Sequence, residues 1–184
     1  MKRCIAAALA CAAVVAGCGS EPKSAAPSAA VTSKALAGSP AALASLHSQE
    51  AELLNGGTSA FKARLASLKG HPVVVNKWAS WCAPCRAEFP MFQKLAVQLG
   101  KRVAFIGVNS NDNSGDAKTF LKRFPVAYPS YSDPDSKIAE VFNGIATFPA
   151  TAFYDANGRL QYMHQGQYPS EQKLRADIRR YING

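Results

Sequence analysis

The sequence predicts an α/β domain built on a central mixed β-sheet flanked by helices, and three observations carry that prediction. Two runs, VVVNKWA (73–79) and VAFIGV (103–108), are β-branched and almost continuously apolar, as strands buried on both faces are. Segments with apolar residues at helical spacing lie between and after them. Near the C-terminus, PATAFYD and RLQYMHQ flank Ala156-Asn157-Gly158, a hairpin signal that adds an antiparallel pair. Strand–helix–strand–helix followed by hairpin–helix gives a mixed sheet rather than a purely parallel one.

In chain order, MKR and the apolar residues 4–17 read as an export signal, too short for a typical membrane-spanning helix. The run ends VAGCGS, and small residues directly before a cysteine resemble a bacterial lipobox, in which Cys18 is lipidated and begins the mature chain. Residues 1–18 are therefore expected to be a lipoprotein signal. Residues 19–40 are dominated by Ala, Ser, Pro and Gly, with no stripe to bury, and read as a flexible linker. Residues 41–184 make up the domain, with 41–69 as a helical extension.

Within the extension, Ser39-Pro40 reads as the cap and first position of a helix over 41–54, ended by Asn55-Gly56-Gly57. Phe61, Leu65 and Leu68 mark another helix. After the strand at 73–79, Phe92, Leu95, Ala96 and Leu99 form a stripe closed by Gly100, with Pro90 expected to kink the helix. Residues 116–124 read as helical up to Pro125. A short extended piece surrounds Tyr128 to Tyr131, and Asp133-Pro134-Asp135 turns into a helix over 136–142. Ser170 caps a last helix through Ile182, with Glu171 in its first turn and Arg179 and Arg180 in its last, where the dipole favours each.

The formal charge is +9, from 21 Lys and Arg against 12 Asp and Glu. The basic residues are scattered along helices without a dense run or interleaved aromatics, so nucleic-acid binding has no motif behind it. A solvated face explains most of them, with anionic headgroups as the better alternative partner.

Of five cysteines, Cys4 and Cys11 leave with the signal and Cys18 carries lipid, which leaves Cys82 and Cys85 in WASWCAPCRAEFP. A staple closing so small a loop would constrain the unfolded chain little. A zinc site needs three or four protein ligands; the domain has no second CxxC, and His47, His71 and His164 lack metal-ligand spacing, so no metal or other cofactor is expected. Placement after a buried strand and at a helix start is the context in which CxxC reads as redox-active. Cys82 falls at the N-cap and Cys85 one turn later on the same face, close enough for a disulfide after modest adjustment. Free N–H groups and the dipole there lower a cysteine's pKa. Cys82 is accordingly expected to be the nucleophile and Cys85 the buried resolving thiol.

At these residues the chain resembles the TlpA/ResA-like thiol-disulfide oxidoreductases of the thioredoxin superfamily. The resemblance runs from about Leu65 to Asn183 and rests on VVVNKWASWCAPCRAEFP, on TFPAT downstream, and on the order of elements. It implies a thioredoxin-like fold and a redox-active Cys82–Cys85 disulfide. Pro149 matches the family's cis-proline beside the disulfide, which leaves the backbone of Thr147 and Phe148 to pair with an extended substrate. Glu88 matches a glutamate that tunes the thiols and relays protons. Trp81 is expected to shield the disulfide and meet partners, and Trp78 to be core. Asn76 stands where thioredoxins proper keep a buried aspartate, which favours the TlpA branch. Lys77 departs from the aromatic residue usual at its position and receives no role.

The resemblance further implies an enzyme lipid-anchored at the cell membrane and facing the extracytoplasmic side. Its partners would be protein thiols and disulfides, such as the haem-binding cysteines of apocytochrome c, and a membrane electron donor. Oxidation of exported protein thiols is the alternative direction, and the reduction potential decides between the two. A peroxiredoxin-like enzyme normally needs Pro and Thr shortly before its cysteine, where this chain has Asn76 to Trp81. A copper-binding metallochaperone of the same fold uses wider cysteine spacing and a distant histidine, for which His164 is the only candidate.

Overall fold

The computed structural model describes residues 28–182. The expected signal segment, Cys18 and the first part of the expected linker lie outside the described residues, as does Asn183. In chain order the elements are α1 (Ala29–Leu36), α2 (Ala41–His47), β1 (Leu53–Leu54), α3 (Gly57–Ser67), β2 (Val73–Trp78), α4 (Ala83–Leu99), β3 (Ala104–Ser110), α5 (Ser114–Arg123), β4 (Ser130–Asp133), α6 (Lys137–Val141), β5 (Ala150–Tyr154), β6 (Leu160–Gln165) and α7 (Glu171–Tyr181).

The strands form one sheet in the order β1-β4-β3-β2-β5-β6. The pairs from β1 to β2 are parallel, whereas β2–β5 and β5–β6 are antiparallel. This is the mixed sheet that the apolar runs and the hairpin predict. Side chains alternate across it. Val74, Trp78, Phe105 and Phe153 face one core with residues of α4, α5 and α7, while Val73, Val75, Ala104, Ile106 and Ala152 face a second with residues of α2, α3 and α6. Every residue of β2 is buried, because helices cover both sides.

The site depends on how β2 ends. Trp78 Nε1 donates to Ser130 Oγ at 3.1 Å, which joins β2 to β4 across β3. The strand between them carries Gly107, where a Cβ would lie 2.0 Å from Ser130 Oγ and 3.0 Å from Trp78 Nε1. Only glycine leaves room for that bridge. On the hairpin side, Gly158 takes a positive φ of 78°, and Asp155 accepts from the backbone of Asn157 and Arg159. This fixes the β5–β6 turn.

Three elements differ from the sequence expectation. Part of the expected linker, residues 29–36, is the helix α1, capped by Ser28 and burying Thr32 and Leu36 on the α4 side of the sheet. Its alanine-rich composition serves helix as well as coil, and the burial of Leu36 decides. The helix expected over 41–54 stops at His47, and Leu53–Leu54 becomes the edge strand β1 beside β4. Ala51 N–H reaches the carbonyls of Val126 and Tyr128, and Ser130 N–H reaches that of Glu52. Those partners lie more than seventy residues away, so local spacing could not reveal them. Ser39 closes α1 by donating to Leu36 O, and Pro40 itself is the N-cap of α2. α4 runs on through Pro90 as one helix.

Candidate active site

β2 delivers the chain to the N-terminus of α4. Cys82 is the N-cap with extended φ and ψ, and its Sγ accepts from Cys85 N–H at 3.2 Å. Cys82 and Cys85 are joined by a disulfide with Sγ–Sγ 2.02 Å and Cα–Cα 5.3 Å. Both residues are buried in the α4-side core. What distinguishes the sulfurs is position: that of Cys82 lies at the helix start, where unpaired N–H groups and the dipole favour an anion.

The turn before Cys82 is braced by Asp112. Its carboxylate accepts from Ser80 N–H and Oγ, from Asn109 Nδ2, and from Asn113 N–H. Next to it, Asn111 adopts a left-handed φ of 49° and its carbonyl accepts from Trp81 Nε1 at 2.9 Å. Trp81 is therefore held by its nitrogen while its ring stays 55% exposed. That ring packs on Phe148 with centroids 5.0 Å apart. Phe148 precedes Pro149 through a cis peptide bond, so the Trp81–Phe148 contact brings the Pro149 segment to the disulfide side. Phe148 lies just outside the ladder of β5, which begins at Ala150 opposite Lys77.

Glu88 sits one turn beyond Cys85 on the buried face of α4. Its Oε1 accepts from Tyr168 N–H, and Oε2 has no partner among the described residues. Burial pushes its carboxyl up to about 7, and the Tyr168 hydrogen bond offsets part of that rise. Asn76 is buried, and among the described residues neither its amide atoms nor the buried hydroxyl of Tyr128 has a partner. Burial, with Glu88 adding like charge, pushes the Tyr128 phenol well above its ordinary range.

Lys77 lies under the same segment, fully buried. Its Nζ donates to the carbonyls of Gly144, Ile145 and Thr147 at 2.7, 3.1 and 3.0 Å, and lies 3.6 Å from the centroid of the Phe148 ring. The carbonyl of Thr147 is thus engaged from inside the fold. Thr147 Oγ1 is buried without a partner among the described residues.

The arrangement brings together Cys82, Cys85, Trp81, Phe148 and Pro149, with Glu88 on the inner side of the same helix. Trp78 is core, with ring contacts to Phe89 and Phe120. His164 is elsewhere, on β6, stacked on Tyr168 with centroids 3.9 Å apart. Among the described residues, no group of three or more His, Cys, Asp or Glu could hold a metal ion. Sequence reasoning misses Asp112, Asn111, Tyr168 and the role of Lys77. The Asn and Asp cluster after β3 signals a turn, but nothing local says which turn it braces. A lysine inside a run of buried strand residues is itself the signal for Lys77.

A family model described as Redoxin matches residues 23–178. Thioredoxin-like protein YneN of Bacillus subtilis is 30% identical over 122 residues, covering 63% of this chain and 71% of the relative. Thiol:disulfide interchange protein DsbE of Xylella fastidiosa is 36% identical over 100 residues, covering 54% of this chain and 49% of the relative. The chain therefore spans about half the length of that relative. Among solved structures, the exposed lipoprotein thioredoxin Etrx1 of Streptococcus pneumoniae aligns with a TM-score of 0.56 at 26% identity, covering 63% of this chain and 89% of that one. The fold is thioredoxin-like.

Proposed function

This chain belongs to the redoxin family, and from that premise we propose that its Cys82–Cys85 pair exchanges electrons with protein thiols and disulfides. The observation that carries the reading is a disulfide at the start of α4, on the same side as an aromatic, partly exposed surface that ends in a cis-proline.

In the reducing direction the cycle starts from the dithiol. The Cys82 thiolate attacks one sulfur of a substrate disulfide; that S–S bond breaks, and the leaving substrate sulfur takes up a proton. A mixed disulfide between Cys82 and the substrate remains. Cys85 loses its proton to Glu88 and attacks Cys82 Sγ; the bond from Cys82 to the substrate breaks, and the second substrate sulfur leaves as a thiol with the proton that Glu88 returns. The substrate gains two electrons and two protons, and the protein is left as the Cys82–Cys85 disulfide. Glu88 suits the proton step because burial raises its carboxyl to about 7, between the ordinary carboxylate and thiol ranges.

The finer reading is a reductase of the cytochrome c maturation type, acting on cysteine pairs of exported polypeptides such as apocytochrome c. A membrane thiol-transferring partner would restore the dithiol. Cys18 would carry the lipid that holds the enzyme on the extracytoplasmic side of the cell membrane. The lipobox-like VAGCGS and the likeness to an exposed lipoprotein thioredoxin support that placement. Among the described residues no helix is long and apolar enough to cross a membrane.

The test is trapping. Cys85→Ser should accumulate mixed disulfides through Cys82 with exported thiol proteins, including apocytochrome c. A variant that traps none, alongside a Cys82→Ser variant that keeps full exchange activity, would sink the proposal.

A further inference from the structure

A fully buried lysine beneath the Pro149 segment is costly unless its charge and donors are used. All three N–H groups of Lys77 have a carbonyl within hydrogen-bond distance, and the three carbonyls come from one stretch, Gly144 to Thr147. The open face of the ammonium meets the Phe148 ring. That stretch has no regular structure of its own. Asn143 N–H reaches Glu140 O and Gly144 N–H reaches Ala139 O, which anchors its start to the end of α6. Beyond Gly144 the backbone turns outward, with Ile145 52% exposed, before β5 begins at Ala150.

We propose that Lys77 is a positioning residue: its ammonium gathers Gly144, Ile145 and Thr147 and the face of Phe148, and so fixes the segment before Pro149 in the form that receives an extended polypeptide disulfide. The inference rests on the exchange reading above and adds a determinant of its substrate class. The tether acts on substrates that lie along the segment. A small disulfide that makes contact only at the Cys82 sulfur gains nothing from it. Lys77 belongs to β2, five residues before Cys82, and its side chain points away from the core that holds Cys85 and Glu88. Its removal therefore changes docking rather than the thiols.

The charge is conditional. Burial holds the Lys77 ammonium down at about 8, against an opposing pull from Asp133. Asp133 is the buried carboxylate on that side and is itself engaged by Ser110 Oγ and the N–H groups of Ile138 and Ala139. On the same side, Lys137 pairs with Glu140 on α6 and lies near Asp135, and Arg64 donates to Gln49 and the Tyr131 hydroxyl. As pH rises through about 8, Lys77 loses its charge and one donor, and the tether weakens. The stability linkage has the opposite sign. A lysine whose folded pKa lies below its unfolded value contributes stability that is full above the unfolded pKa and lost as pH falls through the folded one.

The experiment compares two substrates across pH. Wild type, Lys77→Met and Lys77→Arg are assayed for reduction of a disulfide-bonded peptide and of oxidised glutathione, and the ratio of kcat/KM values removes the shared thiolate titration. Lys77→Met should lower the ratio by about tenfold through KM, as expected for a misplaced binding segment. Lys77→Arg should restore part of the ratio. The wild-type ratio should fall as pH rises past about 8, and Lys77→Met should lack that limb. Equal losses on both substrates, or an unchanged limb in Lys77→Met, would overturn the inference. Hydrogen exchange of residues 143–148 in the oxidised wild-type protein reads the tether without any turnover. Protection relative to β2 amides should drop above about pH 8, and constant protection would refute it. Absence of exchange activity in wild type would defeat the functional reading alone, leaving the hydrogen-exchange result to judge the tether.

Discussion

At Glu88, hydrogen bonding and burial pull the carboxyl in opposite directions, and burial wins. A carboxyl raised from 4.5 to about 7 contributes stability that is full below pH 4.5 and lost as pH rises through 7. Oxidised Glu88→Gln keeps an acceptor for Tyr168 N–H and removes the charge. Urea unfolding should show it more stable than wild type at about pH 8.5, by something on the order of 2–3 kcal/mol, with the two curves converging toward pH 4.5. Equal stability across that range would mean the carboxylate is solvated. In the reduced protein the same variant should lower the thiol pKa of Cys85, because a like charge is removed; thiol titration by absorbance reads this. Asp112 poses the complementary case, a carboxylate whose acceptors hold the turn before Cys82. Asp112→Ala should cost about 1–3 kcal/mol and free the Trp81 ring, measured as unfolding midpoint and tryptophan anisotropy. A rigid Trp81 in that variant would show that Asn111 is held by other contacts.

At the level of elements, the β2–β4 bridge across Gly107 ties the strand that delivers the active site to the sheet. Gly107→Ala drives a methyl into Ser130 Oγ and should destabilise the domain by about 1–3 kcal/mol while quenching or shifting Trp78 fluorescence. An unaltered Tm would mean the sheet yields at that point without cost. The same level shows what sequence can reveal. β2 and β3 are legible because burial on both faces leaves an unbroken apolar run, α5 because Pro125 ends it, and α7 because its cap and terminal charges act locally. α1 and β1 are not, since Leu36 is decided by a helix far along the chain and Leu53–Leu54 by pairing with β4. Leu36→Ala should therefore destabilise the whole domain by about 2–3 kcal/mol rather than loosen a linker, as read by denaturant midpoint.

For the whole molecule, the sheet order places β2 in the centre, and the site forms where its end meets α4 and the segment leading into β5. The positions of Cys82 and Cys85 on one helix face are readable from spacing, and Glu88 from the family resemblance. The roles of Asp112 and Lys77 are not, because each acts on a segment thirty or more residues distant. The central claim is asymmetry between two neighbouring sulfurs, one activated by the helix terminus and one held back to resolve. Alkylation of the reduced native protein by iodoacetamide, followed by peptide mapping across pH, measures it directly. Cys82 should label first, with an apparent pKa below the ~8.5 of a free cysteine, while Cys85 stays largely unmodified until unfolding. Equal labelling of both sulfurs at the rate of the unfolded chain, or labelling of neither at neutral pH, would contradict the account.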